Sequence, residues 1–115
     1  MLRSEIRIIE FGHTHSGEAA HRRPVVIVSN DGANSTAAQL GRGVVTVVPM
    51  TSIVQRIYPF QVLIRAEESG LDRDSKAQAE QVRSVSVNRI GSRIGTIPRT
   101  LMLEVDEALR LHLEL

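Results

Sequence analysis

The chain has 115 residues, a formal net charge of +1 and no cysteine. That length predicts one domain spanning 1–115, with a core that needs no staples; the missing thiols exclude a disulfide framework and a thiolate metal site. A charge this small does not argue for nucleic-acid binding by itself. With no apolar run of spanning length and no signal-peptide core, a cytoplasmic protein without membrane contact is expected.

The basic residues are almost all arginine, with Lys76 the only lysine. Arginine suits bidentate phosphate contacts, although GC-rich codon usage is the simpler cause. Aromatic rings are few: Phe11, Tyr58 and Phe60.

In chain order, residues 5–11 predict a first strand, and residues 12–20, small and polar with histidines, an exposed loop. Arg22 and Arg23 stand just before Pro24 and a β-branched run, Val25-Val26-Ile27-Val28. Such a run predicts a strand buried on both faces, with proline tolerated at its entry. Residues 31–36 are turn-rich, and 37–40 suit one short helical turn. Residues 44–50 predict a third strand that Thr51 and Ser52 end. A fourth strand is expected at 60–64, a turn at 67–70 and extended chain at 76–87. A short last strand is expected at 94–97. Pro98 reads as the first position of a terminal helix. Leu101, Val105, Ala108 and His112 form its buried stripe, with His112 a partly buried packing residue. Many short strands followed by one helix predict a mainly β fold, a small antiparallel barrel with a C-terminal α-helix.

Few residue patterns carry chemistry. His13, His15 and His21 invite a metal site, but a usual carboxylate ligand spacing is offered only by Glu18, and loop histidines in solvent are the simpler reading. No nucleophile elbow or phosphate loop is present. Glu67-Glu68 and Asp72/Asp74 read as solvated turn residues. What remains is Arg23 at the start of one strand and Thr51-Ser52 at the end of another. If those strands are neighbours, guanidinium and hydroxyl meet at one rim and can hold a phosphate without a metal. The plainer alternative pairs Arg23 with Glu18 or Asp31 and leaves Thr51 as a strand end.

The residues from Glu18 to Asp31, including His21-Arg22-Arg23-Pro24, resemble the second-strand signature of the MazF/PemK toxin family. Val44 to Ser52 resembles that family's third strand with its Thr-Ser end. Gly70 to Ser75, Glu80 to Ser84, Ile90-Gly91, Ile94-Gly95 and Glu104 to Leu109 follow in family order. The resemblance implies an SH3-like barrel of the CcdB/PemK type, a homodimer and no cofactor. It also implies a metal-independent endoribonuclease, or mRNA interferase. Such an enzyme cuts single-stranded RNA by attack of the RNA's own 2′-hydroxyl and arrests growth until a MazE-like antitoxin neutralises it. By the same resemblance Arg23 and Thr51 are catalytic, and Glu18, Ser52, Gln81 and Arg83 bind RNA. The first strand and the loop after it depart from the family pattern: they lack tryptophan, and Arg7 of the strand and the loop histidines are candidate replacement RNA contacts. A second reading is a non-catalytic toxin-fold binder that inhibits gyrase or sequesters an antitoxin.

Overall fold

The β-branched run after Pro24 forms the centre of the sheet. In the computed structural model, which describes residues 1–10 and 22–115, the strands begin with β1 (Glu5–Glu10), β2 (Arg22–Ile27) and β3 (Val44–Thr51). They continue with β4 (Gln61–Ile64), β5 (Ser75–Gln78), β6 (Arg83–Ser86) and β7 (Ile90–Thr96). The helices are α1 (Asp31–Leu40), α2 (Ala66–Ser69) and α3 (Arg99–Leu113). The described pairings are antiparallel, in the order β4-β5-β3-β2-β1-β7, with β6 also on β3. The fold is mainly β with a C-terminal helix, as the sequence predicts. Its barrel is not closed, because β4 and β7 end the path without pairing to each other. Register shifts between β1 and β7 help to curve the sheet.

Val25, Val26 and Ile27 are 0% exposed, so β2 is buried on both faces. Each such side chain contributes roughly 1.5–3 kcal/mol relative to leaving it in water. The alternation of β2 and β3 divides the core in two. One face gathers Ile6, Val26, Val48, Met50, Val62 and Ile64 under Met102, Val105 and Ala108 of α3. The other gathers Ile9, Val25, Ile27, Val45 and Val47 with Ala37 of α1.

Several expectations need correction. Residues 31–40 form one helix, not a turn followed by a helical turn. Asn30 caps it by accepting from Ala33 N at 2.8 Å. Asn34, fully buried, donates to Ser29 O at 2.9 Å and so ties the helix to the end of β2. The capping and these polar ties outweigh the low helix propensity of a segment rich in Asn, Ser and Thr. Residues 66–69 are a helical turn rather than a simple one, stopped by Gly70 at φ 88°. The extended chain expected at 76–87 is two strands separated by a 3-10 turn at Ala79–Gln81. The last strand starts at Ile90. Pro98 is the cap of α3, not its first position. His112 is exposed rather than partly buried, as are its neighbours Leu111 and Leu113, because this end of α3 lies outside the packed stripe. Arg22 and Arg23 lie inside β2, not before it.

Candidate active site

β2 and β3 are joined in the register Val25↔Pro49, Val26↔Val48 and Ile27↔Val47. Extending that register by two residues brings Arg23 level with Thr51, on the face that carries Val25 and Val47. The α1 helix follows β2 and precedes β3, so it sits at the opposite end of these strands. The Arg23–Thr51 end is therefore left open. On the far edge of β3, Thr51 pairs with Lys76 of β5.

The guanidinium of Arg23 is half-buried and held in place. Its Nη2 donates to Gln78 Oε1 at 3.1 Å and to Met50 O at 3.4 Å. Pairing with Asp31 is not what the fold provides: Asp31 accepts from the backbone N of Arg3 instead. Thr51 Oγ1 accepts from Ile53 N at 3.3 Å, which leaves its own proton to donate.

Arg23, Thr51 and Ser52 share an open cleft of about 650 Å³, whose other polar walls include Asp72, Arg73 and Ser75. Ile8 and Ile94 line its apolar side. The arrangement offers two guanidiniums and three hydroxyls, beside the one carboxylate of Asp72, to a charged, partly apolar guest. That combination suits a phosphate with a nucleoside attached.

Of the residues expected to bind RNA, Ser52 lines this cleft and is exposed. Gln81 ends the 3-10 turn and is exposed, and Arg83 opens β6 opposite Val47; neither lines the cleft. Glu18 lies outside the described residues, as do His13, His15 and His21. Among the described residues no cluster of three metal-ligating side chains occurs. Arg7 is occupied by Glu5 Oε1, which accepts from its Nη2 at 2.7 Å and Nε at 3.0 Å. Burial raises the Glu5 carboxyl, but hydrogen bonds to Arg7 and to the Leu2 backbone, with the charges of Arg7 and the N-terminus, outweigh it and hold the pKa below its usual value.

Gln78 and Arg73 were not singled out from the sequence, and Asp72, read there as a solvated turn residue, is exposed and lines the cleft. Gln78 carried one available signal: it stands two residues after Lys76, so it shares the sheet face that faces Arg23 and Thr51. Asp72 and Arg73 sit in the polar approach to β5, where solvated turn residues look the same.

Residues 2–113 match the family described as PemK-like, MazF-like toxin of type II toxin-antitoxin system. The chain is 50% identical over 115 residues to endoribonuclease MazF9 of Mycobacterium tuberculosis, covering 100% of this chain and 98% of that one. It is 28% identical over 114 residues to endoribonuclease EndoA of Bacillus subtilis, covering 98% and 94%. Its fold matches a mycobacterial endoribonuclease solved in complex with its cognate antitoxin, with a TM-score of 0.78 at 22% identity over 100% of this chain and 96% of that one. It also matches MazF of Deinococcus radiodurans, with a TM-score of 0.76 at 22% identity over 100% and 97%.

Proposed function

The chain belongs to the PemK-like, MazF-like toxin family of type II toxin–antitoxin systems, and on that premise we propose that it is an endoribonuclease toxin acting at the Arg23–Thr51 cleft on single-stranded RNA. One observation carries the reading. The guanidinium and hydroxyl that can hold a phosphate meet in one cleft, in a chain half identical from end to end to a named endoribonuclease. That identity also favours the enzyme over a non-catalytic binder.

The reaction follows from what the cleft can stabilise. The 2′-hydroxyl oxygen of the RNA attacks the adjacent phosphorus and loses its proton. The P–O5′ bond breaks, and O5′ takes up a proton. The products are a 2′,3′-cyclic phosphate and a 5′-hydroxyl. Negative charge grows on the two non-bridging oxygens as phosphorus becomes five-coordinate. Arg23 is fixed by Gln78 and Met50 O, so it meets that charge without reorganising. A guanidinium holds its protons too tightly to serve as a base, so the part of Arg23 is charge stabilisation. Thr51 Oγ1 donates to a phosphate oxygen, and Ser52 adds a contact beside it. Nothing in this step needs a metal ion.

Unpaired bases can be read on their edges; Glu18 and Gln81 are proposed as the readers, with Arg83 as a further RNA contact. The active unit is a homodimer, and a MazE-like antitoxin neutralises it. The antitoxin partner is supported by the relative solved with its cognate antitoxin.

The test is incubation of the purified protein with a long unstructured RNA in EDTA, with ends mapped by sequencing. Discrete cuts with 5′-hydroxyl ends are expected, lost in Arg23→Ala. Intact RNA from well-folded protein refutes the reading.

A further inference from the structure

Residues 52–60, which join β3 to β4, carry a feature that the phosphate chemistry does not use. Tyr58 and Phe60 are the two aromatic residues among the described ones, and their rings lie parallel, 5.5 Å apart at 2°. Phe60 is half-buried, while Tyr58 is 42% exposed and so forms the outer face of the stack. Two cations flank that ring. The Arg56 guanidinium carbon is 5.7 Å from its centroid, and Lys76 Nζ is 5.9 Å from it. Arg56 Nη1 also donates to Tyr58 OH at 3.2 Å.

The stack is tied to the cleft. Lys76, only 8% exposed, donates from Nζ to Arg56 O at 2.8 Å. The same Lys76 is the β-partner of Thr51. A buried ammonium thus spans from the strand beside the catalytic threonine to the ring outside it. The turn itself does not need the exposed ring, because its closure is made by backbone and Gln61. Gln61 N donates to Tyr58 O at 2.9 Å, and Tyr58 N donates to Gln61 Oε1 at 3.1 Å.

We propose that Tyr58, backed by Phe60 and flanked by Arg56 and Lys76, is a stacking site for an RNA base that adjoins the scissile phosphate. The inference rests on the ribonuclease reading above and adds a positioning contact to it. An exposed ring beside a cation takes a base on its π-face while the exposed Arg56 guanidinium meets the neighbouring backbone and the buried Lys76 holds the loop in place. Stacking accepts any base, so the site holds the strand in place and leaves sequence choice to edge contacts.

The composition supplies the assay. Tyr58 is the only tyrosine and there is no tryptophan, so intrinsic emission reports this ring alone. The probe is a short 2′-O-methyl RNA of mixed sequence, which cannot be cleaved, carrying an end label. Expected is binding by anisotropy with quenching of Tyr58 emission over the same concentration range. Tyr58→Leu should weaken binding about 5- to 150-fold, and in cleavage the loss should fall on KM more than on kcat. Tyr58→Phe keeps the ring and should restore most of the affinity, which separates stacking from a folding defect. Binding without quenching, together with unchanged affinity in Tyr58→Leu, overturns the stacking site and leaves the ribonuclease standing. No binding and no cleavage by folded protein overturns both.

Discussion

Replacing Gln78 by alanine removes the closer of the two acceptors that Arg23 Nη2 has among the described residues, the one at 3.1 Å, and leaves Met50 O at 3.4 Å. A hydrogen bond to a charged group is worth about 1.5–3 kcal/mol when dry. Arg23 is half-buried, so water recovers part of that, and about 1 kcal/mol of positioning is left. At 1.36 kcal/mol per tenfold, the expected loss in rate is about fivefold. Removing the guanidinium itself, in Arg23→Ala, should cost about 100- to 1,000-fold, the range for one lost transition-state donor. Gln78→Glu is the sharper probe. Its carboxylate keeps the geometry but neutralises the guanidinium that the phosphate needs, so the rate should fall further than in Gln78→Ala while folding is kept. The assay is single-turnover cleavage of a short RNA with enzyme in excess, beside thermal melts of each variant. Unmodified rates in both Gln78 variants refute a positioning role. A loss in Gln78→Ala as large as in Arg23→Ala, at unchanged melting temperature, also refutes it and makes Gln78 an RNA contact.

Thr51→Ala should lower cleavage about 100-fold, as expected for one lost oxyanion-type donor, with Thr51→Ser retaining most of it; equal activity in all three excludes the hydroxyl from the chemistry. Asn30→Ala removes the acceptor that caps α1 at 2.8 Å and should cost about 1 kcal/mol in a denaturant titration. A β-carbon on Gly95 would lie 2.2 Å from Ser69 O; Gly95→Ala should therefore destabilise by at least about 1–3 kcal/mol and, by shifting α2 from β7, reduce cleavage as well. Glu5 is held below its usual pKa of 4.5 in the folded chain, so the unfolded chain binds more protons in that range. Its contribution to stability is thus present above the unfolded pKa and lost as pH falls through the folded one. Glu5→Gln should flatten the acid limb of a stability–pH curve, and an unchanged limb counts against the Arg7 pair as its source.

The two central strands were legible because burial on both faces leaves an unbroken β-branched run, and that run also set Arg23 and Thr51 at matching ends. What was not legible depended on partners far away in sequence. The α1 helix is made by the Asn30 cap and by Asn34 reaching back to Ser29, neither of which a weakly periodic run of Ala, Asn and Ser announces. Gln78 looks like any strand glutamine until β5 is laid beside β3 with Arg23 beyond it. Arg7 looked available because its partner Glu5 stands two residues away on the same face of the strand, a spacing as common in solvent as in an ion pair. Gln81 and Arg83 were placed by family spacing alone, and neither lines the cleft.

The 3-10 turn after β5 has its own cause, and it lies in another strand. Pro49 stands in a central strand, where a missing N–H is normally excluded. Hydrogen bonds along β3 alternate between its two edges. Val28 N donates to Thr46 O from the side of β2, and Val87 N donates to Gly43 O from the side of β6. By that alternation residue 49 faces β5 and β6. There the partner chain leaves the ladder: between Met50↔Ala77 and Val47↔Arg83, three steps along β3 are matched by six on the other chain. The 3-10 turn at Ala79–Gln81 takes up the difference, so no donor is missed. Gln78 is the last residue of β5 before the break, and its side chain is the one that reaches Arg23. A proline that could have disrupted the sheet instead ends β5 where its last side chain holds the guanidinium of the cleft.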